Sequence, residues 1–258
     1  MVKKILILAA NPRGDLKLEQ EIRDIEEGLK RSACREQFDL KIRLAVRVKD
    51  LQAALLEVKP WIVHFCGHGS GSEGLVLEND AGRQQLVGTE VLTDLFRIVA
   101  KWKVVECVLL NACYSQEQAS EIVKHINYVI GMRQEIQDDA AIAFTVGFYE
   151  ALGSGETIES AYEFGCNRIQ LEVNRSTETR KGTVVGETEA IKVPEHLIPV
   201  LQKKEHLIPI KSEENMPSQQ EKKTAPEQPS GGIHFGDSTN VHGDVFNGNK
   251  YVGGDDEE

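Results

Sequence analysis

The chain has 258 residues, of which 40% are apolar, enough to bury one sizeable core. Acidic residues outnumber basic ones by 41 to 30, and the net charge of −11 excludes a general electrostatic attraction to nucleic acid or anionic lipid. No run approaches the ~20 apolar residues of a membrane span, and the opening "ILILAA" is shorter than a signal-peptide core, so we expect a cytoplasmic protein with a small-molecule, peptide or protein partner.

Strand-like and helix-like patterns alternate along the first two thirds of the chain, which predicts an α/β domain with helices on both faces of a largely parallel sheet. The run "KILILAA" predicts a buried strand, and apolar residues then recur at helical spacing from Leu18 to Leu29. The alternating "LKIRLAVRV" (40–48) predicts a strand near an edge. A helix over 50–58 follows and ends before Pro60.

The second half of this pattern begins with the strand "WIVHFCGHG" and a β-hairpin formed by "GLVLEND" and "QQLVG". Helices are predicted over 89–101 and 116–126, on either side of the strand "VECVLLNA". The short strand "YVIGM" precedes a helix, "AAIAFTVGFYEAL", that is apolar almost all round and is therefore expected to be buried. A last helix over 157–173 completes the compact part.

The end of the chain differs in composition from the rest. "EHLIPVLQKK" is followed directly by a second copy, "EHLIPIKSEE", and the first copy can supply a final strand. We predict a domain over 1–211, a disordered polar linker over 212–230, and a tail of short Gly, Asn and Asp-rich repeats over 231–258.

Two predicted strands end in side chains suited to nucleophilic catalysis. "VHFCGHGS" leaves His68 between two glycines just past its strand, and "VLLNACYS" leaves Cys113 just past its own, 45 residues later. Ligands collect at the carboxyl edge of a parallel sheet, so we expect the two side chains to meet there. A thiol beside a histidine can act as a nucleophile, and glycines let a substrate approach the main chain closely.

The cysteines also have a simpler interpretation. Five widely spaced cysteines, an odd number, favour reduced thiols over a disulfide framework. A cysteine in an apolar run is usually a small core residue, and three of the five are interpreted in that way: Cys34, Cys107 and Cys166.

Metal and nucleotide sites are weaker alternatives. His64 shares a strand face with Cys66 and His68, but no CxxC or HExxH spacing supports a zinc site, and His64 is interpreted as a satisfied core histidine or as one that supports the site from behind. Residues 69–74 match GxGxxG, but a strand follows where a dinucleotide site needs the start of a helix. No metal and no cofactor is predicted.

Several blocks of the sequence, in their order and spacing, resemble the CHAT family, a caspase-like domain. The blocks are "ILILAANP", "IVHFCGHGSGSEGLVLEND", "VLLNACYS", "YVIGM", "DDAAIAFTVGFYEALGSGETIESAYEFG" and "IPVL", from about residue 4 to about residue 201. The resemblance implies a caspase-like three-layer α/β/α sandwich with a mostly parallel sheet and a small hairpin. It also implies a clan of cysteine proteases, many of which serve bacterial defence and programmed death.

The resemblance assigns roles by position. Cys113 is the expected nucleophile and His68 the general acid and base, with the backbone N–H groups of Gly69 and Cys113 as oxyanion donors. Three polar residues are candidates to contact the substrate: Asn111, Asp138 and Asp139. Helix capping is an equally open interpretation of the two aspartates.

The function expected from these features is a cytoplasmic cysteine endopeptidase that cleaves a protein substrate, and a protein encoded nearby is a candidate substrate. A catalytically silent adaptor that binds a partner through its tail is the alternative. The tail is in either case a candidate for recruitment, docking of an activating partner, or regulation.

Overall fold

The computed structural model describes residues 2–179 and 193–205, with side chains described over 2–172 and 193–205. These residues all lie within one compact unit, Met1–Ile208. The predicted linker and tail, and most of the second "EHLIP" copy, lie outside the described residues. The domain limits at 211 and 230 therefore stay predictions.

Eight strands form the central sheet. They are β1 (Lys3–Ala10), β2 (Phe38–Arg43), β3 (Ile62–Gly69), β4 (Leu75–Glu78), β5 (Gln84–Val87), β6 (Cys107–Asn111), β7 (Tyr128–Met132) and β8 (Pro199–Lys203). The order is β2-β1-β3-β6-β7-β8, with the β4–β5 hairpin attached to the end of β3. All neighbours from β2 to β7 are parallel, and β8, from the first "EHLIP" copy, is antiparallel to β7.

Within the described residues, six α-helices cover the two faces of the sheet. They are α1 (Leu18–Arg31), α2 (Val48–Val58), α3 (Thr89–Val99), α4 (Gln116–Ile122), α5 (Asp138–Gly153) and α6 (Ile158–Thr179). Side chains of α1, α5 and α6 share one apolar core with one face of the sheet, and those of α2, α3 and α4 share another with the opposite face. The predicted α/β/α sandwich with a mostly parallel sheet and a small hairpin is confirmed.

The predicted strand over 40–48 is wrong in its second half. β2 ends at Arg43, and Ala45 adopts a left-handed conformation with φ 52°. The Val46 N–H then donates to the carbonyl of Ala9, 3.1 Å away, and α2 begins at Val48. The alternating pattern arises because Val46 is buried by the loop, which periodicity cannot distinguish from a strand.

Smaller differences concern the ends of the helices. α3 ends at Val99, close to the predicted end at residue 101. α4 ends at Ile122, about one turn before the predicted end at residue 126. The GxGxxG segment leads into β4 with no helix after it, as expected, and all five cysteines are free thiols. No helix among the described residues is long and apolar enough to cross a bilayer.

Two glycines allow α5 and α6 to cross closely. A methyl group at Gly165 would lie 2.7 Å from a ring carbon of Phe144 and 2.8 Å from its carbonyl oxygen, while one at Gly147 would lie 2.9 Å from the carbonyl oxygen of Phe164. α5 is buried on nearly every side, and its residues Phe144 and Phe148 belong to the apolar core between the sheet and the helices. The close crossing lets α6 cover the side of α5 on which Gly147 lies.

We expect Gly165→Ala to lower the free energy of unfolding by about 1 to 3 kcal/mol, because the added methyl group overpacks this crossing. The helix propensity of alanine opposes this by about 1 kcal/mol. Urea denaturation measures the change, with Gln170→Ala at an exposed position of α6 as the control. A Gly165→Ala chain that is more stable than the parent would contradict the close packing.

Candidate active site

The candidate site lies where β1, β3 and β6 end at the carboxyl edge of the sheet. β2 lies on one side of β1 and β3 on the other, so the chain changes its winding direction at β1. Such a switch point opens a crevice between diverging loops. Asp15 and Cys113 follow β1 and β6, whereas His68 is the second-last residue of β3 rather than lying just past the strand as predicted.

His68 is held by a carboxylate that the sequence did not single out. Its Nε2 atom lies 2.8 Å from Oδ1 of Asp15, and the histidine side chain is 12% exposed against 55% for the aspartate. Asn11 shapes the loop, since its amide oxygen accepts from the Asp15 N–H and its amide nitrogen donates to the carbonyl of Leu16. The adjacency of β1 and β3 is the signal that could have identified Asp15.

Gly69 brings the histidine segment against the cysteine segment. A side chain at Gly69 would overlap the carbonyl oxygen of Cys113 and come within 3.3 Å of the backbone of Ala112. Only glycine allows the two backbones to approach this closely. The two segments predicted to carry the dyad are therefore in contact at the edge of the sheet.

Cys113 lies on a tight and well-anchored turn. The hydroxyl of Ser115, fully buried, donates to the carbonyl of Leu110 and accepts from the N–H of Met132, at 2.8 and 2.9 Å. Tyr114 has φ 57°, a left-handed conformation that costs a side-chain-bearing residue roughly 1 to 2 kcal/mol. The anchored turn holds this strain and presents Cys113 beyond the end of β6.

The Cys113 thiol is half-buried. Its Sγ atom lies 4.0 Å from the carbonyl oxygen of Ile136, and burial raises the pKa of the thiol above its ordinary value. The nearby carboxylates of Glu135 and Asp138 add to this, and the contact with Ile136 opposes it. Within the described chain, the Cys113 N–H donates to no other residue's backbone. The geometry thus favours the protonated thiol and leaves the Cys113 N–H without another residue's backbone as its acceptor in the described chain.

The predicted substrate-binding residues have protein partners in the structure. Asn111 is buried, and its amide nitrogen donates to Oε1 of Glu21 at 2.7 Å. Asp138 accepts from the backbone N–H of Lys17, and Asp139 pairs with the ammonium group of Lys17 at 2.7 Å. Their contact with substrate stays a prediction.

The capping interpretation of the two aspartates is wrong in detail. The residue before α5 is Gln137, which makes no side-chain capping bond, and both aspartates lie within the first turn. They stabilise this helix end through their charge instead.

A buried polar group lies behind the predicted dyad, between α1 and β3. Burial raises the pKa of Glu21 to about 7 and lowers that of His64 to about 3. The ring of His64 is 5.7 Å from that of Tyr149, yet neither ring nitrogen has a hydrogen-bond partner. The prediction of a buried core histidine is confirmed, but the prediction that it is satisfied is wrong.

Comparison with known proteins gives the same family as the sequence blocks. A family model described as "CHAT domain" matches residues 13–180. A "Probable protease" from Gillisia limnaea is 24% identical over 174 residues, which cover 66% of this chain and 31% of that protein. A "Roc-COR-CHAT protease" from an unknown prokaryotic organism is 26% identical over 178 residues, 65% of this chain and 16% of that protein. The chain spans less than a third of either curated relative.

Solved structures with a similar course of the chain include a secreted C11 cysteine protease from Bacteroides thetaiotaomicron, in complex with an irreversible peptide inhibitor. It has a TM-score of 0.48 and 14% sequence identity, and the match covers 79% of this chain and 66% of that one.

The raised pKa of Cys113 gives a prediction for the protein without substrate. We expect alkylation of Cys113 by iodoacetamide to be slow at neutral pH, because only the thiolate reacts. The rate should rise with pH, and the midpoint of that rise should lie at a higher pH than for N-acetylcysteine. Mass spectrometry of the Cys113 peptide measures the rate. A midpoint below that of N-acetylcysteine would instead indicate a preformed thiolate and imidazolium pair.

Proposed function

Because the chain belongs to the CHAT domain family, we propose that it is a cysteine endopeptidase that uses Cys113 and His68 on a protein substrate. One observation carries the proposal: Gly69 places the end of β3 against the backbone of Cys113, with His68 already hydrogen-bonded to Asp15. A nucleophile, a base and a group that orients the base then share one edge of the sheet.

In the proposed reaction His68 takes the thiol proton as the Cys113 sulfur attacks the peptide carbonyl. Asp15 accepts a hydrogen bond from Nε2, so Nδ1 is the ring nitrogen left to exchange protons. The protonated His68 gives its proton to the departing amine, and an acyl group remains on the sulfur. Water activated by the same histidine then releases the acid and restores the thiol.

The negative charge on the substrate oxygen needs donors that are in place before the reaction. The N–H of Cys113, with no other backbone partner in the described chain, and the N–H of Gly69 are the proposed pair. Each such donor typically lowers the barrier by about 3 kcal/mol. Backbone donors on an anchored turn need no reorganisation when the charge forms.

The biological setting is proposed from the family alone. A bacterial defence or programmed-death pathway, with a substrate encoded nearby, fits the family resemblance and the two relatives named proteases. Activation by a partner that docks on the C-terminal tail is part of the proposal, because the composition of the tail differs from that of the domain. A cytoplasmic location belongs to it as well.

A catalytically silent adaptor is the second candidate. The observation that favours it is the Cys113 thiol itself, which is half-buried, contacts the Ile136 carbonyl and has a raised pKa. An activity probe with a peptide acyloxymethyl ketone separates the two candidates. Labelling of Cys113 in the folded chain supports the protease, and labelling that occurs only after denaturation supports the adaptor.

We expect Cys113→Ala and His68→Ala each to reduce cleavage by about 10³-fold or more, since each removes a partner in proton transfer or bond formation. New N-terminal peptides in host cells that express the chain, measured by mass spectrometry, give the readout. Cys34→Ala, a free cysteine away from the site, is the matched control. Undiminished cleavage by either dyad variant would refute the proposed mechanism.

Asp15 is proposed as a positioning residue. We expect Asp15→Asn to lower kcat by about 10-fold or more with little change in KM, because the histidine loses its orienting carboxylate while substrate contacts remain. Asp15→Glu should restore part of the rate, and Glu19→Gln on the exposed face of α1 serves as the control. A loss confined to KM would assign Asp15 to substrate binding instead.

A further inference from the structure

The polar group behind the predicted dyad has the composition of a metal site. One ligand atom each from Glu21, His64 and Cys66 lies within 4.8 Å of the other two, and all three residues are buried. Glu21 projects from α1, while His64 and Cys66 are two residues apart on β3 and therefore share a face. A carboxylate, an imidazole and a thiol converge on one point.

Glu21 accepts a hydrogen bond from Asn111, but His64 is not satisfied by the protein around it. Both ring nitrogens of His64 lack a hydrogen-bond partner, although the side chain is 0% exposed. Its Nε2 lies 3.5 Å from Oε1 of Glu21, within ion-pair distance but without the geometry of a hydrogen bond. The amide oxygen of Asn111, next to the same carboxylate, is also buried and unpartnered.

The carboxyl group of Glu21 also lacks a basic partner other than His64 among the described residues. In the part of the chain that the structure describes, His64 is the only ion-pair partner of Glu21, and no lysine or arginine lies within reach. Buried carboxylates are normally paired with a cation, protonated or bound to a metal. An unpartnered histidine aimed at the same point favours the third arrangement.

We propose that Glu21, His64 and Cys66 bind a single Zn²⁺ ion, with the amide oxygen of Asn111 or a water in the fourth position. Thiolate, imidazole and carboxylate are the three ligand types that zinc sites use. The spacing of the ligand atoms is within about 1 Å of what ligands at roughly 2.0 to 2.3 Å from one ion require. Neither the family match nor the proposed chemistry of His68 and Cys113 requires a metal ion at this position.

The proposed site balances charge as well as ligand type. The carboxylate of Glu21 and the thiolate of Cys66 together carry two negative charges, and a neutral His64 adds none, so Zn²⁺ makes the site neutral. The ion takes the place of the thiol proton of Cys66, and of the Glu21 proton where that carboxyl group is protonated, and these protons pass to solvent. A neutral site of this kind suits a position that is closed to water.

The site is connected to both dyad segments. Cys66 precedes His68 by two residues on β3. Asn111, the last residue of β6, lies directly opposite Cys66 in the parallel register and precedes Cys113 by two residues. Glu21 lies in the first turns of α1, after the loop that contains Asp15. A bound ion would therefore tie α1, β3 and β6 together behind the catalytic edge. We assign it this structural role.

Because the cluster is closed to solvent, the ion is expected to enter as the chain folds. The full chain carrying Cys113→Ala, which removes the catalytic thiol as a competing ligand, is unfolded with a chelator and refolded with or without Zn²⁺. We expect about one Zn²⁺ per chain to remain after passage over chelating resin, with a higher unfolding temperature. Refolding with Co²⁺ should give a thiolate-to-cobalt charge-transfer band.

Matched variants locate the ion. In the same background, Cys66→Ser and His64→Gln should each weaken Zn²⁺ binding by at least about 10-fold and abolish the stabilisation. Cys107→Ser, an equally buried cysteine on the adjacent strand β6, should bind as the parent does.

The remaining outcomes overturn the proposal. No retained zinc, zinc retained in Cys66→Ser, or binding that requires Cys113 would each exclude this site. If Cys66→Ser does not fold, X-ray absorption by the zinc-loaded Cys113→Ala chain decides the matter. One sulfur with nitrogen and oxygen ligands supports the site, and a shell without sulfur rejects it. None of these measurements depends on peptidase activity.

Discussion

The parallel pairing of β3 with β6 is the constraint on which the rest of the site depends. Cys66 lies opposite Asn111 in this register. His68 and Cys113 each come two residues later in their own segments. A slip of one residue would turn the side chains of one strand to the other face of the sheet. Gly69 completes the arrangement, because a side chain there would overlap the carbonyl of Cys113.

The same register places polar residues in the interior. His64 and Cys66 face the core shared by α1, α5 and α6, where the carboxylate of Glu21 meets them. Elsewhere this core is apolar and closely packed, as the crossing of α5 and α6 at Gly147 and Gly165 illustrates. Unpartnered polar atoms in such a core lower the stability of the fold. A bound ion would give these atoms a partner and would link the elements behind the site.

The two candidate functions share one geometry and differ in whether the Cys113 thiol gives up its proton. In the proposed protease, Cys113 rests as a neutral thiol and loses its proton to His68 as the substrate binds. In a silent adaptor, the burial that raises the pKa of Cys113 keeps the proton in place. The anchored turn around Tyr114 and the hydrogen bond between Asp15 and His68 fit the protease better, because an adaptor needs neither a strained turn nor an oriented histidine.

The sequence alone was enough to predict the layers, the order of the elements and the edge of the sheet at which His68 and Cys113 lie. These follow from hydrophobic periodicity and from parallel strands that end together, both of which are local patterns. The β2 segment departed from its pattern, because Val46 is buried by a loop rather than by a strand.

Only the tertiary structure decided which residues surround the proposed dyad. Asp15 and Glu21 are far from His68 in the chain, and the pairing of β1 with β3 brings their segments alongside it. The resemblance makes Asn111 and Asp138 candidates for substrate contact by their positions, yet in the structure they contact Glu21 and the backbone of Lys17. Such contacts join elements distant in sequence, and no local pattern encodes them, because strand pairing and helix packing set their distances.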